Sequence, residues 1–180
     1  MPSDCRRRTR SLEWITENLF VTGFFGAPLE EIAGRLAEDE GAELISLDEE
    51  ISRDDGRSIL RICMLMGEHE YRNKEYEALQ RLTGPAAAGS EDSVTCDCND
   101  DKNIVVLCSD GVLHDDMSAE IIKNHDLVIA GRDMDRDELW QNASTADSSY
   151  HAFMTLPEES ARRRAFDELY ERQQALFSRF

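Results

Sequence analysis

Short apolar runs alternate along the chain with stretches in which apolar residues recur every three or four positions. The first run, at 18–23, ends at a glycine and predicts a buried strand. Residues 28–40 then place apolar side chains at helical spacing, so a strand, a glycine-containing turn and a helix follow in order. Further apolar runs predict strands at 42–47, 103–107 and 126–130.

Helical spacing marks most of the chain between and after these strands. The predicted helices lie at 48–52, 59–82 with a break near Gly67, 115–123, 135–141 and 157–180. Strands that alternate with helices in this way are typical of an α/β fold with a mostly parallel sheet. The segment at 84–101 differs, because it holds Gly, Pro, Ala, Ser and acidic residues and almost nothing that a core could bury. We predict a mobile acidic surface loop there.

The composition suits one acidic globular domain. The length of 180 residues predicts a single domain that covers 1–180. The formal net charge is -18, and a field of that sign repels nucleic acid and anionic membranes. No apolar run reaches the length of a membrane span and no signal-peptide core follows the basic N-terminus, so we expect a cytoplasmic protein. Cys96 and Cys98 have no second Cys or His pair at a suitable spacing, and no metal site is predicted.

Four short motifs follow one another over the first half of the chain. They are GFFGA at 23–27, GRLA at 34–37, GRSI at 56–59 and GEHEYRNKE at 67–75. In this order and register they resemble the motifs of shikimate kinases, which are P-loop kinases of small molecules. The first motif lies between the first strand and the first helix, where P-loop kinases hold phosphates on backbone N–H groups. Beyond Leu82 the resemblance weakens.

The resemblance implies a P-loop kinase-like fold of three αβα layers. In the family's strand order the first strand is central, the second lies at one edge and the third stands between them. We expect four strands, because the chain ends at Phe180, before the fifth strand and last helix of the family. An open sheet edge would result, and we expect a protein partner or a second copy of the chain to cover it.

The phosphate loop departs from the family's pattern where the nucleotide would bind. By resemblance, the vestigial loop comprises Gly23, Gly26, Ala27, Pro28, Leu29 and Glu30. Pro28 replaces a glycine and has no N–H for a phosphate. Leu29 stands where the family has the lysine that contacts the phosphates, and Glu30 where it has the Ser or Thr that holds Mg²⁺. The ATP and Mg²⁺ of the family are therefore predicted to be lost, and no cofactor is expected.

Other positions that would neutralise phosphate charge have changed as well. The family's metal-side Asp falls on Ser46, and its three glycines after the third strand fall on 108–110, which brings in Asp110. The lid segment at 142–156 contains no Arg or Lys, whereas the family's lid carries a catalytic Arg. Phosphoryl transfer depends on positioning and on charge neutralisation. No catalytic residue is therefore predicted.

The substrate side matches the family more closely. Asp48 and Arg72 fall on the Asp and Arg that hold the hydroxyls and the carboxylate of shikimate, and Glu75 lies in the same motif. A further Arg of the family falls on Gln173. Two interpretations are open: a surviving site for a small hydroxy acid, or a structural ion pair in which Arg72 only balances Asp48. The structural pair is favoured, since Asp110 would repel a bound carboxylate.

Three functions follow from these residues. The first is a shikimate-kinase-like protein that no longer phosphorylates shikimate with ATP and acts as an interaction or regulatory module of the aromatic amino-acid (shikimate) pathway. The second is a binder or sensor of shikimate or a similar hydroxy acid through Asp48 and Arg72. The third is a divergent active kinase, for which the phosphate-binding groups are missing. We rank them in that order.

Overall fold

The computed structural model describes residues 18–84, 103–145 and 150–180. Its strands and helices, in chain order, are β1 (Leu19–Gly23), α1 (Leu29–Glu40), β2 (Glu43–Ser46), α2 (Leu47–Asp55), α3 (Ile59–Met66), α4 (Glu68–Thr83), β3 (Ile104–Leu107), α5 (Asp116–Ile122), β4 (Asp126–Ala130), α6 (Arg136–Thr145) and α7 (Glu159–Phe177). Two short 3₁₀ turns lie at Val112–His114 and Ala152–Thr155. None of the helices in the described parts is long and apolar enough to cross a membrane.

The ends of these elements follow local signals in the sequence. Ser46 and Ser58 accept hydrogen bonds from backbone N–H groups in the first turns of α2 and α3, and Asp115 does the same for α5. The predicted break at Gly67 separates α3 from α4, where the glycine has a φ of +89°. α6 continues to Thr145, beyond the predicted helix end at 141. Apart from Gly84, the predicted acidic loop at 84–101 lies outside the described residues.

One parallel sheet organises the fold. The strands stand in the order β2-β3-β1-β4, and every neighbouring pair is parallel. Within the described residues, the predicted sheet of four strands, with β1 central and β3 between β1 and β2, is confirmed. Because all four strands run the same way, their carboxyl ends meet at one edge, which is where α/β folds bind ligands. The turn after β1, Ser46 at the end of β2 and residues 108–110 after β3 therefore come together.

Apolar clusters cover both faces of the sheet. α1 packs on one face through Ala33 and Ala37, against Val21 and Val105. Side chains alternate between the faces of a strand, so the neighbouring Phe20 and Val106 point to the other side. The larger cluster there includes Phe20, Phe24, Leu47, Ile62, Tyr71, Leu79, Val106, Leu139 and Phe166. The predicted three-layer αβα architecture results.

Candidate functional site

The loop between β1 and α1 is packed tightly against the rest of the domain. A Cβ on Gly23 would stand 2.9 Å from the backbone nitrogen of Ala130, at the end of β4. Gly26 has a φ of +94°, and a Cβ there would stand 2.9 Å from the carbonyl carbon of Leu139 in α6. Backbone packing alone therefore accounts for glycine at both positions.

Four backbone N–H groups of this loop and the start of α1 donate to acceptors within the chain. Phe24 donates to the carbonyl oxygen of Ala130 at 3.1 Å, and Ala27 donates to that of Phe24 at 2.9 Å. Phe25 donates at 3.0 Å to the side-chain oxygen of Gln173, a buried residue of α7. Leu29, at the start of α1, donates to the carbonyl oxygen of Ala27 at 2.8 Å. These four donors are thus engaged within the chain.

An open cleft of about 820 Å³ lies over the loop and the first turn of α1, and we call it the loop cleft. It is lined by Phe24, Phe25, Gly26, Ala27, Pro28, Leu29, Glu30, Glu31, Asp110, Met134, Glu138, Asn142, Ala143 and Thr145. The charged members of this lining are all carboxylates, and no Lys, Arg or His is among the described residues that form it. Glu30 and Glu31 stand in the first turn of α1, where the helix dipole favours negative charge.

A second cleft, of about 460 Å³, lies across the carboxyl ends of β2 and β3, and we call it the strand-end cleft. Its apolar lining includes Phe25, Leu29, Ile59, Leu60 and Leu107. Its charged lining consists of Glu30, Asp48, Glu49 and Asp110. Again, within the described residues, no basic side chain lines the space. Among the sequence-predicted site residues, Leu29, Glu30 and Asp48 face this cleft.

Asp48 reaches the strand-end cleft from the first turn of α2. It accepts a hydrogen bond of 2.5 Å from the hydroxyl of Tyr71. Burial raises the pKa of Asp48, although the Tyr71 hydrogen bond and the nearby Arg72 oppose the rise. In place of the ion pair between Asp48 and Arg72 that the sequence suggested, the structure gives each side chain partners of its own.

Arg72 lies behind the cleft wall, and both of its terminal nitrogens have partners. Nη1 donates to Glu75 and, at 2.9 Å, to the hydroxyl of Ser109. Nη2 donates at 3.0 Å to Glu68 and at 2.9 Å to the hydroxyl of Tyr150. The side chain is only about a tenth exposed. Arg72 is therefore held by groups of this chain that occupy the edges a bound carboxylate would need.

Glu75, the third predicted substrate residue, is fully buried and faces no cleft. One oxygen of its carboxylate accepts a hydrogen bond from Arg72, and the other accepts one of 2.6 Å from the hydroxyl of Ser109. Burial raises the pKa of Glu75, while the Arg72 charge and the Ser109 hydrogen bond offset part of the rise. The geometry makes Glu75 a partner of Arg72 and leaves it no surface for a ligand.

The sequence pointed to Asp110 but not to its partners, which make it the most connected carboxylate of the site. It follows β3, is almost fully buried and accepts a 2.7 Å hydrogen bond from the hydroxyl of Tyr150. Its other oxygen lies 2.9 Å from Nε2 of His151 and 2.9 Å from Nε2 of Gln173. Burial would raise the pKa of Asp110, but His151, Tyr150 and Arg72 outweigh burial and hold the pKa below its ordinary value.

The sequence carried a partial signal for this cluster. Asp110 and Gln173 had each been noted as departures from the family's glycine and arginine, but nothing linked them. Their distance along the chain is 63 residues, and Tyr150 and His151 lie in the predicted lid segment. Among the described residues, no group of three or more His, Cys, Asp or Glu side chains could hold a metal ion.

Comparison with known proteins finds similarity to shikimate kinases. A family model described as shikimate kinase matches residues 30–179. The shikimate kinase of Chlorobium limicola is 32% identical over 111 residues, which are 62% of this chain and 48% of that protein. The bifunctional shikimate kinase/3-dehydroquinate synthase of Thermotoga maritima is 31% identical over 105 residues, 58% of this chain and 18% of that protein. The chain thus spans about half the length, or less, of these relatives.

Solved structures give the same fold. The shikimate kinase of Acinetobacter baumannii, in complex with shikimate, superposes with a TM-score of 0.64 at 22% identity, over 87% of this chain and 79% of that one. The shikimate kinase of Bacteroides thetaiotaomicron superposes with a TM-score of 0.70 at 15% identity, over 90% of this chain and 82% of that one. At these identities the likeness concerns the fold alone.

Proposed function

Because the chain belongs to the shikimate kinase family, we propose that it is a member that no longer transfers phosphate from ATP to shikimate and instead acts as an interaction or regulatory module of the aromatic amino-acid (shikimate) pathway. One observation carries the proposal: the charged linings of the loop cleft and the strand-end cleft consist of carboxylates. Phosphoryl transfer needs cations around the phosphates, because charge neutralisation supplies most of the catalysis.

The loop over which a nucleotide would lie supports the same proposal. Phosphate sites of this kind use converging backbone N–H groups and a lysine. Here Phe24, Phe25, Ala27 and Leu29 direct their N–H groups to acceptors in the chain. Glu30 would place a carboxylate beside the phosphates, where like charges repel. These residues do not fit ATP with Mg²⁺, and no catalytic step is assigned to them.

The sensor function is less well supported, because it depends on Arg72. The guanidinium already binds Glu75, Ser109, Glu68 and Tyr150. A hydroxy acid would have to displace these intramolecular partners and approach the carboxylates of the strand-end cleft. Desolvating a ligand carboxylate beside others of its kind is unfavourable.

The interaction part of the proposal concerns the outer edge of the sheet. Within the described residues, β4 pairs only with β1, so its outer backbone groups face no strand. An unpaired edge can accept a strand of another chain. A protein partner or a second copy of the chain at this edge is part of the proposal. Sedimentation over a wide concentration range tests for the second copy, because self-association would increase the sedimentation coefficient with concentration.

The first expected result is that Mg²⁺ and ATP at millimolar concentration give no calorimetric binding signal and that no shikimate-dependent ADP is formed. The physical reason is the absence of a compensating cation in the described linings of both clefts. The shikimate kinase of Chlorobium limicola, assayed in parallel, is the positive control. Shikimate-dependent ADP formation by this chain would contradict the proposal, and calorimetric binding of shikimate without ATP would favour the sensor function.

A stricter test restores the phosphate loop. We expect the triple variant Pro28→Gly, Leu29→Lys, Glu30→Ser to remain inactive in the same ADP assay. The restored lysine would still face Asp110 and Glu138 across the loop cleft, and the segment 142–156 would still lack an Arg or Lys. Activity in this variant would show that the loss lies in the phosphate loop alone.

A further inference from the structure

The carboxylate of Asp110 is held in the way that a protein holds a bound anion. Three donors from outside its own segment converge on its two oxygens: the hydroxyl of Tyr150, Nε2 of His151 and Nε2 of Gln173, at 2.7, 2.9 and 2.9 Å. Asp110 is only 6% exposed. Convergent donors around a buried carboxylate are the arrangement by which binding sites recognise an ionised acid.

Hydrogen bonds through Tyr150 link the Arg72 guanidinium to the Asp110 carboxylate. Nη2 of Arg72 donates to the Tyr150 hydroxyl at 2.9 Å, and the same hydroxyl donates to Asp110 at 2.7 Å. Hydrogen bonds in such a chain polarise one another, so the cation strengthens the Tyr150 donor. The donors come from the start of the 150–155 segment and from α7, while Asp110 comes from the end of β3. The anion and its receptor thus belong to different parts of the fold.

Asp48 provides a contrast within the same strand-end cleft. Among the described residues, it accepts a hydrogen bond from Tyr71, and burial dominates its environment. Asp110 has a hydrogen-bond donor on each oxygen and a second donor on one of them. Through Tyr150 it is also linked to the cationic Arg72. Burial alone therefore does not account for the way Asp110 is bound.

We propose that the Asp110 carboxylate is a built-in ligand: Tyr150, His151 and Gln173 form a site for a small carboxylate, and the chain fills it with its own side chain. This inference deepens the proposed function, on which it rests, because it says what occupies the anion site beside the strand-end cleft. A carboxylate that is part of the chain loses no translational entropy when it binds. It therefore outcompetes free acids in the native protein.

The site that Asp110 fills is also connected to the loop after β1. Gln173 donates to the Asp110 carboxylate with its nitrogen and accepts the Phe25 N–H with its oxygen. It donates in addition to the carbonyl oxygen of Asp110, at 3.1 Å. One buried amide therefore connects the anion site to the vestigial phosphate loop. Removing the Asp110 carboxylate takes away the acceptor of one Gln173 N–H. A free acid bound in its place should accept a hydrogen bond from that N–H again.

The test removes the built-in carboxylate and supplies a free one of the same size. Asp110→Ala deletes a group equivalent to formate, and Asp110→Gly deletes one equivalent to acetate. We expect formate to raise the melting temperature of Asp110→Ala saturably, by roughly 3–6 °C at about tenfold above its Kd, and the native protein to show no such rise. Acetate should be accepted by Asp110→Gly and excluded from Asp110→Ala, where the added methyl group meets the alanine.

Sodium chloride at matched ionic strength is the control for a general salt effect. A folded Asp110→Ala protein that responds equally to formate and chloride would overturn the proposal, and so would a formate response of the same size in the native protein. Kinase activity of the native protein is measured separately, so failure of the proposed function and failure of this inference are distinguishable.

A second variant keeps the proposal testable if Asp110→Ala does not fold. Asp110→Asn retains the volume of the side chain but removes its charge, and Asp48→Asn makes the same change at the matched position. We expect Asp110→Asn to increase the unfolding equilibrium constant roughly tenfold more than Asp48→Asn does, because a charged acceptor of three donors is lost. Equal effects would show that the donors do not bind an anion and would refute the proposal.

Discussion

Replacing Arg72 by alanine should lower the free energy of unfolding by about 3–5 kcal/mol at about pH 8, where Glu75 is ionised. The reason is Glu75, which is 0% exposed and has Arg72 as its cationic partner. Removing the guanidinium leaves this carboxylate buried without a counter-charge, and it also deprives Ser109 and Tyr150 of a hydrogen-bond donor. The sequence had favoured a structural pair of Arg72 with Asp48, whereas the structure pairs Arg72 with Glu75. Urea unfolding of the variant measures the cost.

The cost of Arg72→Ala should depend on pH in a defined direction. Burial raises the pKa of Glu75 to about 7 in the native protein, and without Arg72 the pKa should rise further. A folded-state pKa above the unfolded value stabilises the protein below the unfolded pKa, and this stability is lost as pH rises through the folded pKa. Because its folded-state pKa is higher, the variant loses this stability over a pH range that extends further upward than in the native protein. Its deficit should therefore be smaller at about pH 5 than at about pH 8.

Two controls separate the buried charge from the loss of an arginine. Arg35→Ala removes an exposed arginine that pairs with Glu31 on the surface of α1, and it should change the unfolding free energy by about 0.5 kcal/mol or less. Glu75→Gln in the Arg72→Ala background removes the unpaired charge, and it should restore part of the lost stability. A deficit that is small and independent of pH would contradict the assigned role of Glu75.

The sequence predicted the fold well because its signals are local. The run at 18–23 and the β-branched run at 103–107 mark strands by composition, and Ser58 and Gly67 mark helix ends by their side-chain and backbone chemistry. The resemblance then supplied the order of the strands, which periodicity alone does not determine. Both kinds of information agree with the structure, including the central position of β1.

The site was only partly predictable because its partners are distant along the chain. Glu75 lies three residues from Arg72, so that pairing could have been inferred from helical spacing. Ser109 and Tyr150 lie 37 and 78 residues from Arg72, and no pattern in the sequence links them. Asp110 was read as an unpaired charge that would repel a ligand. The structure gives it three donors, which only the folded arrangement brings together.

Replacing Gly26 by alanine should lower the free energy of unfolding by about 2–5 kcal/mol. Its φ of +94° is strained for any residue with a Cβ, and the added atom would overlap the backbone of Leu139 in α6. Backbone atoms of a packed helix cannot move aside as a flexible side chain would, so α6 or the loop must shift. Chemical denaturation of the purified variant measures the loss.

Gly34→Ala is the matched control, since Gly34 lies within α1 and a Cβ there would meet nothing within 4 Å. It should stabilise the protein by about 0.5–1 kcal/mol, because alanine loses less conformational entropy in a helix than glycine does. The Gly26 variant also distinguishes packing from ligand binding. If Gly26 serves only the contact with α6, the cost of Gly26→Ala should be the same with and without millimolar ATP and Mg²⁺. A nucleotide that stabilised the native protein but not the variant would increase the measured cost, and would show that this loop still binds phosphate.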